Sequence, residues 1–213
     1  MGYGFRCNGG AGMTVTLLIQ ASNGVPVLAL ARDGAIRFDS SAIDCLAGSR
    51  DYRLMLETGL AEIGATLDEI TRIGCDIGPG GLGVTRTAAA FANGLGFTLG
   101  LPIYALPAFA LLGMEASDGQ TPVALLRRAG RPYVHFGIYR DGTLAHYEHC
   151  LEETALEKLA ELDKYRLAGN IPVEGAEPPK TNTAEMTTLL TFVDAAPEPA
   201  ANARAYPIVE VLT

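Results

Sequence analysis

From Thr87 to Met114 the chain carries no charged side chain. A stretch of that length and polarity either crosses a bilayer as one helix or is buried on several sides in a globular core. Here Asn93, Gly94, Gly96, Gly100, Pro102 and Pro107 interrupt it. Glycine and proline punctuate apolar segments into separate elements. The stretch therefore reads as a helix, a turn, a short strand and a second helix: buried α/β core, and no membrane span.

The flanking sequence supplies the rest of that core. Thr14–Gln20 and Val25–Arg32 are β-branched or apolar runs that read as strands. Asp33-Gly34 is a two-residue hairpin turn, after which Ala35–Phe38 starts a third strand. A helix follows from about Ser49 to Gly64, with Tyr52, Leu56, Leu60 and Ile63 on one face. Arg72–Ile77 is a fourth strand, a helix spans about Leu82 to Leu99, Leu101–Leu106 is a fifth strand, and Pro107–Met114 is a further helix. The order β-β-β-α-β-α-β-α resembles one half of the actin/Hsp70/sugar-kinase fold, the ribonuclease-H-like unit.

Beyond a linker at Glu115–Thr121, the pattern starts again. Val123–Leu126, Tyr133–Tyr139 and Thr143–His149 read as strands, with Asp141-Gly142 as a second hairpin turn. Glu152–Leu162 is a helix, Tyr165–Ala168 a short strand, Thr183–Val193 a helix, and Tyr206–Leu212 a strand-like run or a tail packed on the body. The expected fold is thus α/β, an actin/Hsp70-like two-subdomain architecture of mixed sheets with flanking helices. Residues 1–12 are expected as a disordered tail, 13–114 as the first subdomain, and 121–213 as a smaller, truncated copy.

Composition narrows the function. With 213 residues, 48% of them hydrophobic and 19% charged, the chain is globular. A net charge of −8 argues against direct non-specific nucleic-acid binding, which needs clustered Lys and Arg. Only Arg127, Arg128 and Arg131 cluster, a small patch. Cys7, Cys45, Cys75 and Cys150 form no C-x-x-C pair, and the first twelve residues lack an apolar signal region. Both point to reduced thiols and a cytoplasmic location.

The stretch GCDIGPGGLGVTR holds the most suggestive spacing: Gly78, Gly80 and Gly83 fit G-x-G-x-x-G. A dinucleotide loop, however, belongs after the first strand of its unit and needs an acid about twenty residues on. This loop follows the fourth expected strand, and no Asp or Glu lies between Val84 and Met114. No Gly-Lys-Ser/Thr follows either, which excludes a P-loop. Actin-like ATPases carry an acid at the end of their first strand to organise metal and phosphates; here that position is Gln20. A neutral amide lacks the anionic oxygen that Mg²⁺ prefers. Gly78, Gly80, Gly81 and Arg86 remain candidates for an anion or nucleotide contact at a helix start. His146, His149 and Cys150 do not form a metal site, because positions i and i+3 of a strand face opposite sides.

The glycine loop, its helix and the next strand, GPGGLGVTRTAAAFANGLGFTLGLPIYAL, resemble the core signature of the TsaB (YeaZ) family. That family's pattern is close to G-P-G-S-F-T-G-x-R, then a helix ending G-L-A-F. Gly78, Pro79, Gly80 and Arg86 match in register, as do Gly94, Leu95 and Phe97. The likeness covers most of Thr14–Leu106 and the remainder by architecture. Departures fall on polar positions: Gly81, Gly83 and Val84 replace Ser, Thr and Gly, and Gln20-Ala21-Ser22 replaces Asp-Thr-Ser. The family's Asp-Ala-Arg corresponds to Arg128-Ala129-Gly130, and its His-Ser before the first helix to Gly48-Ser49.

The resemblance implies a non-catalytic relative of TsaD, the subunit that transfers threonylcarbamoyl to tRNA. It implies TsaD-like and TsaE-like partners, ATP and metal on those partners and no cofactor in this chain. It implies contact with tRNA only through the complex, at position 37, and a homodimer when the chain is alone. It places the partner surface on the two helices of the first subdomain, so Leu56, Leu60, Ile63, Phe91 and Leu95 are the expected interface. The alternatives are a small-molecule kinase or ATPase of the same fold, or an M22-type peptidase. No H-E-x-x-H supports the last.

Overall fold

A computed structural model describes residues 14–179 and 181–208. The expected tail at 1–12 lies outside the described residues, as does most of the expected final strand; Tyr206–Ile208 form no strand.

The first sheet contains β1 (Val15–Gln20), β2 (Val27–Arg32), β3 (Ala35–Asp39), β4 (Ile70–Asp76) and β5 (Ile103–Leu106) in the order β3-β2-β1-β4-β5. The β1–β2 and β2–β3 pairs are antiparallel, and β1–β4 and β4–β5 are parallel. Every residue of β1 is buried, as the uninterrupted VTLLIQ run requires of a central strand covered on both faces. The turn from β2 to β3 holds Asp33 at φ 54° and Gly34 at φ 72°. This double left-handed geometry matches strand twist, and Asp-Gly adopts it readily.

Helices α1 (Tyr52–Glu62) and α2 (Leu82–Leu99) cover one face of this sheet. Asp51 caps α1 by accepting from the Leu54 N–H, and Gly100 ends α2 in the left-handed conformation. Tyr52 of α1 stacks on Phe91 of α2 with ring centroids 5.2 Å apart.

The second sheet contains β6 (Val123–Arg128), β7 (Tyr133–Arg140), β8 (Thr143–Leu151) and β9 (Arg166–Gly169) in the order β8-β7-β6-β9. Its antiparallel meander and parallel β6–β9 pair repeat the first four positions of the first sheet. Among the described residues the copy is shorter by one strand. Helix α4 (Glu152–Ala160) covers one face with Ala155 and Leu159.

Helix α3 (Ala108–Ala116) joins the two halves. Leu111 packs into the first lobe, while Phe109 and Leu112 pack against the second sheet. Residues Ala108–Gly113 are buried all round, so the end of the charge-free run found in the sequence is interlobe core, whereas its start, in α2, covers the first sheet and leaves Phe97 exposed. Each Leu or Phe so buried contributes about 1.5–3 kcal/mol relative to exposure.

Helix α5 (Met186–Ala195) departs from the sequence expectation. Its Met186, Leu189, Leu190 and Val193 pack with Leu18, Ala29, Ala31 and Leu106 on the second face of the first sheet. The segment after it stays with the first lobe but passes to the face covered by α2, where Asn93 makes paired hydrogen bonds with the Ala205 backbone at 2.9 and 2.8 Å. The stretch 121–213, expected as one subdomain, is thus divided in space. Residues 123–169 build the second lobe, and α5 with the residues to Ile208 returns to the first. Apolar spacing along a helix specifies which face is buried, not which sheet buries it.

Candidate functional site

The two lobes meet where the parallel strands end. Ser22 follows β1, Asp76 is the last residue of β4, and Arg127 lies one residue before the end of β6. In open α/β sheets the crevice outside the carboxyl ends of the strands is where ligands bind. Here that crevice is filled by the chain's own side chains.

Asp76 is fully buried. Its Oδ2 accepts from the Ala21 and Ser22 N–H groups at 3.2 and 2.9 Å, and its Oδ1 accepts from Gly78 N–H at 2.8 Å. These charge-assisted bonds fasten the loop after β1 to the loop after β4. Opposite stands Arg127, only 3% exposed. Its Nη1 donates to Ser22 Oγ at 2.8 Å and to the Pro79 carbonyl at 2.6 Å, and its Nη2 donates to the Asn182 carbonyl at 2.5 Å. The guanidinium carbon also lies 5.9 Å from the centre of the Phe109 ring, a cation–π arrangement. Burial lowers the Arg127 pKa from its ordinary value, and the Asp76 carboxylate opposes that shift.

Gln20 closes the other side. Its Nε2 donates to the Ala184 carbonyl at 3.0 Å, and its Oε1 accepts from Thr183 Oγ1 at 2.6 Å. The residues present do not fit a magnesium–phosphate group. The amide at the end of β1 is bound to the segment leading into α5, both oxygens of Asp76 already hold N–H groups, and the remaining contacts of the crevice are acceptors taken by Arg127. Two cavities lie elsewhere. A groove of about 870 Å³ runs beside Glu115, Tyr165, Arg166 and Glu185, and a small one of about 50 Å³ lies beside Pro26, Arg50 and Tyr52.

The glycine loop serves the seam by its shape. Gly78 has φ 90°, a conformation that side chains strain. A Cβ on Gly80 would stand 2.0 Å from the Ser22 carbonyl oxygen, so only glycine lets the two loops touch. Gly81 N–H donates to that same carbonyl at 3.0 Å. Gly81 is itself exposed at the start of α2, and a Cβ on Gly83 would meet nothing within 4 Å. Arg86 is exposed on α2 and has no ion pair among the described residues. The structure therefore brings Gly78 and Gly80 into the seam and leaves Arg86 outside on the helix surface.

The expected interface residues also separate. Leu56 and Leu60 are buried in the chain's own core, and Ile63, Phe91 and Leu95 are half-buried against it. The large apolar groups that α1 and α2 present to solvent are Leu54, 44% exposed, and Phe97, 76% exposed. On β8, His146 and His149 lie on opposite faces. His146 pairs with Glu148 at 3.3 Å, whereas His149 stacks near Tyr133 and His135. No group of three metal-ligating side chains occurs among the described residues. No helix among them is long and apolar enough to cross a membrane.

The sequence reading missed Asp76 and Arg127. A usable signal existed for Arg127: in a strand buried on both faces, it falls in line with Val123 and Leu125.

Comparison with known proteins places this geometry. Residues 49–191, well over half of the chain, match the family model described as TsaD, tRNA N6-adenosine threonylcarbamoyltransferase. A crystal structure of an uncharacterised protein with similarity to peptidase YeaZ from Pseudomonas aeruginosa superposes with a TM-score of 0.70 at 23% identity. It covers 92% of this chain and 99% of that one. YeaZ from Pseudomonas aeruginosa superposes with a TM-score of 0.60 at 19% identity, over 85% of this chain and 91% of that one. Both show the same two-lobed fold. Among curated proteins, none matches the sequence.

Proposed function

Since the chain belongs to the TsaD family, the tRNA N6-adenosine threonylcarbamoyltransferases, we propose that it is a non-catalytic subunit that activates a TsaD-like enzyme in tRNA modification. The observation that carries this reading is the filled crevice. The place where the fold would hold a phosphate and its metal contains Gln20, Asp76 and Arg127, all engaged with protein groups. Such a chain contributes surface to a complex rather than chemistry. ATP and metal then belong to the TsaD-like and TsaE-like partners, and tRNA is met through the complex, at position 37.

The partner surface in this reading is the outer side of α1 and α2. Phe97 and Leu54 are its exposed apolar groups, with Ile63, Phe91 and Leu95 at its edge. Exposed aromatic anchors of this kind carry a large share of interface energy. The same surface serves a homodimer when the chain is alone.

The test is co-expression with the TsaD-like protein of the same genome, followed by affinity purification and titration. The expected outcome is a stable complex that Phe97→Asp weakens by about 30-fold or more, with the circular-dichroism spectrum of the free chain unchanged. Absence of a complex under every nucleotide condition would refute the reading, and so would ATP turnover by the pure chain.

A further inference from the structure

We propose that Arg127 is an internal lobe lock: a guanidinium that permanently occupies the interlobe crevice and holds the lobes closed without any nucleotide. The contacts divide so that no single lobe provides them. Arg127 comes from β6 of the second lobe, Ser22 and Pro79 belong to loops of the first, and Asn182 lies on the segment that returns from one lobe to the other. One planar group therefore fastens both lobes and the returning chain.

The chemistry of the site selects a cation. All three hydrogen-bond partners are acceptors, the Phe109 ring presents its electron-rich face, and the Asp76 carboxylate is the neighbouring charge. A phosphate entering this crevice would meet acceptors and an anion. A guanidinium meets its complement, and its rigid fork reaches acceptors that an ammonium would not span together. Ser22 is the bridge: its N–H donates to Asp76 while its Oγ accepts from Arg127. The negative charge of one lobe and the positive charge of the other are thereby joined through one residue. The lock belongs to the free chain and does not depend on the partner proposed above.

The test uses the full chain alone and measures amide hydrogen exchange in the segments that close at the seam. These are the loop carrying Gly81 N–H, bonded to Ser22, and the end of β9 carrying Gly169 N–H, bonded to Thr181. Arg127→Ala should speed exchange in both by about tenfold or more, the scale of losing a charged hydrogen bond, and enlarge the radius of gyration in solution scattering. Guanidinium at about 20 mM, too dilute to unfold a domain, should restore slow exchange, whereas urea, its neutral isostere, should not. Mg-ATP should leave exchange in the unsubstituted chain unchanged. Unchanged exchange in Arg127→Ala, equal rescue by urea, or an Mg-ATP response of the unsubstituted chain would each overturn the proposal. If Arg127→Ala does not fold, Ser22→Ala decides: it removes one acceptor and should speed exchange several-fold, and unchanged exchange would count against the lock.

Discussion

Replacing Gly80 with alanine tests whether the glycine loop is a packing device. A Cβ at this position would lie 2.0 Å from the Ser22 carbonyl oxygen, 2.7 Å from its carbonyl carbon and 2.8 Å from its Cβ. Backbone cannot yield as a flexible side chain can, so one loop must move by an ångström or more. Overpacking of this kind costs about 1–3 kcal/mol. The movement also breaks the Gly81-to-Ser22 hydrogen bond and displaces Ser22 and Pro79 from Arg127, adding about 1 kcal/mol or more. A destabilisation of about 2–4 kcal/mol follows, which lowers the melting temperature of a chain this size by roughly 4–16 °C. Two neighbouring glycines supply controls. A Cβ on Gly81 comes no closer than 3.6 Å to another atom, and one on Gly83 meets nothing within 4 Å. Gly83→Ala lies in the first turn of α2 and should be neutral or stabilising by up to about 1 kcal/mol. Circular-dichroism melts of the three single variants make the comparison. Equal stability of Gly80→Ala and Gly81→Ala would refute the close-approach argument, and so would a loss at Gly83→Ala as large as that at Gly80→Ala.

Two further outcomes follow from the buried charges. Asp76→Asn keeps the shape but sets an amide N–H₂ against backbone N–H donors; urea titration should show a loss of about 2–4 kcal/mol, and a change below about 0.5 kcal/mol would refute the role given to the carboxylate. His135, 1% exposed, has its pKa pulled down to about 4, by burial first and then by His149 and Arg127. The unfolded chain binds a proton near pH 6.5 that the native chain refuses, so this stability is whole above that pH and lost as pH falls toward 4. Between pH 7.5 and 5 the loss should be about 2 kcal/mol, and His135→Gln should flatten the urea-midpoint profile over that range; an unchanged profile would refute it.

Much of the fold is legible because its signals are local. Asp33-Gly34 and Asp141-Gly142 both take the double left-handed turn, with φ of 54° and 72°, and 53° and 75°. The apolar runs around them define two meanders, and the broken apolar run from Thr87 defines α2, β5 and α3. The seam is less legible because its members are distant. Asp76 ends a strand, and Arg127 sits beside Arg128 with Arg131 close by, which are both exposed. Three arginines near one another read as a surface patch until the second sheet is folded and residue 127 alone is turned inward. The same limit explains Leu56 and Leu60. Their helical spacing marks a buried stripe, and only tertiary packing shows that the chain's own sheet, not a partner, covers it.

The return of α5 to the first sheet also sets the order in which the molecule can be made. Strands β1 to β5 leave the ribosome first, but one face of their sheet, met earlier only by Leu111 of α3, stays incompletely covered until Met186, Leu189, Leu190 and Val193 have been synthesised. The second lobe, whose strands and α4 lie within residues 123–169, has its own sheet and covering helix before then. The lobe begun first is finished last, and truncation anywhere before α5 leaves an apolar sheet face open to aggregation during synthesis.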